Sequence, residues 1–287
     1  MNTKKGTSLN EDEKIYRLSF EIHTYEVDFR GRAHLQVLLC FLQEAAARQA
    51  THLGFGYDHL VKKGLVWLLS RYHLKINRYP WLGEKIEILT WPSGDQGVFA
   101  LRDFEVRGQR GATILVATSS WVLWDVKAKQ PKLVEILKHS NVVREKRALR
   151  DNFEPLPALE KIDYQQEFKV MMKHLDLNRH VNNTVYIQWA IESIPPEILL
   201  RLFPLEVEIS YKAEAFFAEE VVSRLQQVQE SPLLNQANPN LNGDNYLFIH
   251  SIVNHKKGHE LARLRTIWGN LSEASSFPSA PIHSQIK

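Results

Sequence analysis

Laid over itself at a shift of 148 residues, the chain matches without a gap: Tyr16 meets Tyr164, Phe20 meets Phe168, Asp28 meets Asp176, Val37 meets Val185 and Glu44 meets Glu192. Each copy has the same order, an alternating run, an Asp, then a helical segment. That order confines the chain to a duplicated unit, each copy with a sheet face and a helix to cover it. The 287 residues, 44% of them hydrophobic, suffice for two such units of about 130 residues each.

In the first copy, the alternation of Tyr16, Leu18, Phe20 and Ile22 over residues 15–27 predicts a strand with one buried face. Gly31 marks a turn, and residues 35–53 read as a helix. Leu35, Val37, Leu38, Leu39, Phe41 and Leu42 cover most of its circumference, so it is expected to be enclosed, with Cys40 packed in the core. Strand-like runs follow at 65–76, 85–91, 98–107 and 113–124, broken by turn signals at Pro80, at Pro92-Ser93-Gly94 and at Gly108 to Gly111. A helix followed by antiparallel strands makes an α+β unit in which a sheet wraps a helix.

The second copy repeats this in reduced form. Its entry strand is expected at 164–175, its helix at 184–194, and its sheet at 205–211, 220–228, 246–255 and 260–268. Residues 229–245, dense in Asn, Pro, Gln and Gly, read as a long hairpin loop. The resulting division is a flexible tail at 1–13, a first unit at 14–126, a connector at 127–161, a second unit at 162–270 and a flexible tail at 271–287. The connector is rich in Lys, Arg and Pro and reads as a solvated surface crossing, with an acidic docking partner as the other reading.

The copies differ where polar chemistry is concentrated. Asp176-Leu177-Asn178-Arg179-His180-Val181-Asn182-Asn183 places a carboxylate, an amide and an imidazole at alternate positions, whereas the first copy has Arg30 and Arg32 in place of Asn178 and His180. In an extended segment all three side chains project from one side. Asn182 or Asn183 suits the N-cap of the helix, whose dipole stabilises negative charge. A duplicated scaffold with one specialised site is the functional reading; an Asx-turn and a helix cap is the plain one. A calcium loop is excluded, because Val181 replaces the required Gly and Ile187 the required Glu. His174, Asp176 and His180 lack any zinc-ligand spacing, so no metal is expected. Further on, Glu214 follows the alternating Val207, Ile209 and Tyr211, where a carboxylate at a strand end can turn toward the helix N-terminus and act as a general base.

Charge and cysteine usage bound the rest. A net charge of +3 is too small to argue for nucleic acid, and no uninterrupted apolar stretch of about 20 residues predicts a membrane span. A single cysteine allows no internal disulfide and suits a reducing cytoplasm, and the polar N-terminus reads as a loose tail rather than a signal peptide.

The run from Asp176 to Ser193, with Tyr211-Lys212-Ala213-Glu214, closely resembles the acyl-acyl-carrier-protein (acyl-ACP) thioesterases. Trp67, Arg71, Arg78-Tyr79-Pro80, Thr90-Trp91 and Ser120-Trp121-Val122 resemble that family's first half, so the likeness spans roughly residues 15–270. The D-x-N-x-H-V-N-N-x-x-Y motif also occurs in acyl-CoA thioesterases of the same fold; the duplicated architecture with Glu214 is the more specific signal. The resemblance implies two tandem hotdog domains, each an antiparallel sheet wrapped around a long helix. It implies a catalytic set of Asp176, Asn178, His180 and Glu214, with the first hotdog shaping the acyl pocket and Leu38, Leu42 and Trp67 setting its depth. In plant members a Cys often follows the glutamate; here Ala215 does, so water rather than an acyl-cysteine is expected. Their transit peptide has no counterpart, which fits a bacterial-type cytoplasmic enzyme. By that likeness Glu214 and His180 activate water, Asp176 orients the imidazole, Asn178 holds the water or the carbonyl oxygen, and helix N–H groups after Asn182 hold the oxyanion. The expected partner is acyl carrier protein, with no cofactor, no nucleic acid and no membrane, and with monomer and homodimer both open. A hotdog acyl-CoA thioesterase, a dehydratase and a non-catalytic acyl-binding module are the alternatives.

Overall fold

The alternating runs become strands because their apolar sides share one face, and the two copies extend a single sheet. The computed structural model describes residues 14–133, 142–143, 146–229 and 245–271. The expected tails and nearly all of the 229–245 loop lie outside the described residues. The first half comprises β1 (Tyr16–Glu21), α1 (Leu35–His52), α2 (Tyr57–Val61), β2 (Leu65–Ile76), β3 (Lys85–Gln96), β4 (Phe99–Arg107), β5 (Thr113–Asp125) and β6 (Gln130–Lys132). The second comprises β7 (Tyr164–Lys169), α3 (Asn183–Glu192), α4 (Pro196–Leu199), β8 (Phe203–Tyr211), β9 (Glu220–Val228), β10 (Tyr246–Asn254) and β11 (Glu260–Gly269).

The strand order is β1-β3-β4-β5-β2-β8-β11-β10-β9-β7, with β6 on β5. Read inward from either edge, the two halves follow the same path and meet where β2 pairs antiparallel with β8, Tyr72 opposite Ile209 and Leu74 opposite Val207. Both long helices pack on one face of this sheet. Leu38 and Leu42 of α1, Leu74 of β2, Val207 of β8 and Val185 and Trp189 of α3 belong to one core cluster that runs through both halves. Removing the Leu42 or Leu74 side chain, each fully buried, costs about 2–5 kcal/mol by lost burial and cavity formation. No helix among the described residues is long and apolar enough to cross a membrane.

Three expectations need correction. First, α1 is not enclosed: its buried residues Leu35, Leu38, Leu39, Leu42, Ala45, Ala46 and Gln49 form one stripe at helical spacing. Cys40 falls off that stripe and is exposed, its Sγ 3.7 Å from Thr184 Oγ1. Second, β3 does not end at Trp91; it continues through Pro92-Ser93-Gly94 by a bulge between Pro92 and Gly94 that absorbs the missing proline N–H. Third, the connector is bound to the sheet. Asp103, fully buried, accepts hydrogen bonds from Ser93 Oγ (2.9 Å), Thr118 Oγ1 (2.7 Å), Arg147 Nε (2.9 Å) and the Ala148 N–H (2.8 Å). A carboxylate on the outer face of β4 thereby converts a basic stretch into a strap.

The same strap reaches the seam between the halves. His73 of β2 lies between Asp151 Oδ2, 2.6 Å from Nδ1, and Glu206 Oε1 of β8, 2.9 Å from Nε2. Arg265 of β11 bonds to Glu206 and Glu208 in turn. His73, Glu206 and Glu208 are close enough to bracket a cation, but Arg265 already supplies the positive charge.

Candidate active site

Between β7 and α3 the chain makes a single 3-10 turn, Met172–His174, and then a tight loop. Asp176 shapes that loop: its N–H donates to the His180 carbonyl (2.8 Å), and its Oδ1 accepts the N–H groups of Asn178 (2.8 Å) and His180 (3.2 Å). Arg179 takes the left-handed conformation, φ 63°. The segment is therefore a turn and not an extended run, and Asp176, Asn178 and His180 do not project from one side. Asp176 holds backbone, where it was expected to orient the imidazole. The Asn178 side chain is exposed, with no hydrogen-bond partner among the described residues.

The imidazole partner is Glu214. His180 Nδ1 lies 3.0 Å from Glu214 Oε1, the two side chains 30% and 47% exposed. The glutamate is fixed through its neighbour. The Ala215 N–H donates to the Tyr186 hydroxyl oxygen (3.1 Å), and the Ala215 carbonyl accepts from the Val181 N–H (3.0 Å). His180 also forms a β-bridge with Phe216, whose ring meets the imidazole edge-on at 5.1 Å. Burial pushes the Tyr186 phenol well above its ordinary pKa, and the nearby Glu214 adds to this, so it stays protonated. Sequence reasoning did not single out Tyr186, although it closes the N-N-x-x-Y motif one helical turn after the cap.

Asn182 is the N-cap of α3, its Oδ1 accepting from the Thr184 N–H at 3.0 Å and the Thr184 hydroxyl at 2.9 Å. The Val185 N–H donates to the Asn182 carbonyl at 2.9 Å. Of the first three helix donors, the Asn183 N–H alone is left without an acceptor among the described residues. Asn183 lines a narrow slot of about 10 Å³ together with Leu39 and Gln43 of α1, Leu69 and Tyr72 of β2, and Tyr211. That is room for about one water. Leu38 and Leu42 face the core, and Trp67 packs near Leu60, Leu65 and Leu123 with its Nε1 on the Phe55 carbonyl. The slot therefore draws on different residues from those first expected to set pocket depth. His174, expected to stand near a metal set only as a remote option, is buried and accepts the Met171 N–H.

The first half builds the same loop bond for bond and fills it differently. Asp28 Oδ1 accepts from Arg30 and Arg32 N–H groups, the Asp28 N–H donates to the Arg32 carbonyl, and Gly31 takes the positive φ of 73°. Arg32, where His180 stands in the second half, donates to the Tyr79 carbonyl (2.7 Å) and lies 3.3 Å over the Trp81 ring. Tyr79 takes the place of Glu214 and donates its hydroxyl to the Pro204 carbonyl (2.7 Å). Arg30 reaches the Leu202 carbonyl and lies 3.7 Å over Phe203. The first-half loop is thus a clamp on α4 and β8, while in the second half the equivalent space holds a partly exposed His–Glu pair.

The doubled architecture agrees with what comparison with known proteins shows. The Acyl-ACP thioesterase N-terminal domain model matches residues 13–139 and the C-terminal domain model residues 158–270. The chain belongs to the acyl-ACP thioesterase family. It is 27% identical to the chloroplastic oleoyl-acyl carrier protein thioesterase of Coriandrum sativum, over 93% of this chain and 80% of the relative. It is likewise 27% identical to oleoyl-acyl carrier protein thioesterase 1 of Arabidopsis thaliana, over 91% of this chain and 78% of the relative. The fold matches that of the 12:0-ACP thioesterase from Umbellularia californica with a TM-score of 0.77 at 23% identity, covering 92% of this chain and 99% of that one.

Proposed function

We propose that this chain hydrolyses the thioester of a fatty acyl-ACP to a free fatty acid and holo-ACP, terminating fatty acid synthesis, by attack of water. The observation that carries this reading is the contact of His180 Nδ1 with Glu214 at 3.0 Å beside the start of α3, in a chain matched by both family domains. Glu214 and His180 together take a proton from water as it attacks the thioester carbonyl. The unpaired Asn183 N–H is placed to hold the developing oxyanion, a role that a single donor rather than the whole helix end fills here. His180 then protonates the leaving thiolate. Asn178, exposed and uncommitted, is the group available to hold the water, and Asp176 keeps the loop in shape. Ala215 offers no nucleophile, which supports direct hydrolysis over an acyl-enzyme. The same reading places the enzyme in the cytoplasm, where a single thiol stays reduced.

Thiol release from matched acyl chains on carrier protein and on CoA tests this. Preference for the carrier form supports the reading. Equal or faster hydrolysis of acyl-CoA makes the chain a general acyl thioesterase instead, and tight acyl binding without thiol release makes it a binding module.

A further inference from the structure

The slot beside Asn183 is bordered by a polar group that the mechanism does not use. Tyr72 is 5% exposed and its hydroxyl is buried with no hydrogen-bond partner among the described residues. Its ring stacks on Phe104 at 5.7 Å, which fixes it in the slot wall. Three other donors of that wall are committed: the Tyr211 hydroxyl to the Asn183 carbonyl (3.0 Å), the Trp121 indole to Ser119 Oγ (2.8 Å) and the Thr184 hydroxyl to Asn182. Arg102, deeper in the same half, is held by Gln49 and Thr90. Burial also raises the Tyr72 phenol well above its ordinary pKa, so it remains a donor. A buried donor left unpaired opposes folding unless something that enters the site satisfies it.

Resting on the thioesterase reading, we infer that Tyr72 selects for acyl chains that carry an oxygen substituent near the thioester end, a hydroxyl or an oxo group that accepts the Tyr72 hydrogen bond. The slot is also lined by Asn183, whose N–H faces the thioester oxygen in that reading, so the carbons next to the thioester are those that pass Tyr72. A saturated chain buries the hydroxyl against methylenes. An oxygenated chain pairs it and displaces the single water the slot has room for.

The test uses the full chain and carrier protein loaded with a saturated, a 3-hydroxy and a 3-oxo acyl group of equal length. Wild type is expected to favour an oxygenated substrate by about tenfold in kcat/KM, the worth of one neutral hydrogen bond. Tyr72→Phe is expected to remove that preference, chiefly through KM because the contact lies off the reacting carbon, bringing the oxygenated substrates to the rate of the saturated one. Equal wild-type rates on all three, or an equal loss on all three in Tyr72→Phe, overturns the inference. The wild-type comparison needs no variant, so misfolding of Tyr72→Phe does not shield it. Hydrolysis of the saturated substrate without preference overturns this inference alone; no hydrolysis of any of the three overturns the thioesterase reading as well.

Discussion

His180 and Glu214 contact each other while keeping a third to a half of their side chains exposed, so their removal should spare the fold. His180→Ala and Glu214→Ala are each expected to lower kcat about 10²- to 10⁴-fold, and the double variant little further, because the two act as a unit. Steady-state thiol release with circular dichroism on the same samples checks both halves of that statement. Near-wild-type turnover in either single variant removes that residue from the mechanism. At this scale the sequence named the polar residues but mistook their geometry. Alternation suggested an extended run, whereas the backbone reverses at Arg179. The signal for the reversal was present one copy earlier: Gly31, the matching residue, takes φ 73°, a conformation that glycine advertises and arginine hides. Glu214 was legible from its strand-end position as a candidate base and from the family resemblance as a partner of His180, but the means of holding it, Tyr186 and Val181 gripping Ala215, was not.

Among elements, the repeated loop and the strap make the sharpest predictions. An added Cβ at Gly31 meets only the Trp81 ring, at an ordinary 3.8 Å, so the cost of Gly31→Ala is backbone strain alone. It should destabilise by about 1 kcal/mol, read as a lower denaturant midpoint with an unchanged slope. Asp103→Ala strips the strap of its buried acceptor, removing the bonds from Ser93, Thr118 and the Ala148 N–H and leaving Arg147 only Thr118 Oγ1 and the Leu149 carbonyl. A loss of about 3–5 kcal/mol is expected, together with faster proteolysis near Arg147; unchanged protection there would show that the strap is held by other contacts. The strands and both long helices were readable from periodicity, since most of their positions have one buried side. The strap was not, because a basic proline-rich stretch has the composition of solvated chain and its anchor lies 44 residues earlier in β4. The helix α1 was overread for the opposite reason: Val37, Cys40 and Phe41 are apolar in composition but lie off the buried stripe.

For the molecule as a whole, the β2–β8 seam sets the response to pH. Burial by itself lowers the pKa of His73, but its bonds to Asp151 and Glu206 more than offset that and raise it from 6.5 to about 9. A folded-state pKa above the unfolded one gives a contribution that is complete below about pH 6.5 and is lost as pH rises through 9. Asp151 and Glu206 are held below their usual range, net of the opposing effect of burial, so their contribution is lost as pH falls through those depressed values. The unfolding temperature of the wild type should therefore drop between about pH 6.5 and pH 9 more steeply than that of His73→Gln, measured by thermal melts from pH 6 to 10. Parallel curves would mean that the seam carries no such linkage. Doubling of the unit was legible from the 148-residue match, whereas the joining of both sheets into one was not, because strand pairing between copies leaves no period in sequence. The two copies of the Asp loop share a backbone and serve different ends, one gripping Leu202 and Pro204 across the seam, the other presenting His180 to solvent. On the proposed reading they therefore answer to different judges under evolutionary drift: errors at Arg30 or Arg32 are culled by quality control as unsound chains, while errors at His180 yield sound molecules that are culled only for the chemistry they fail to do.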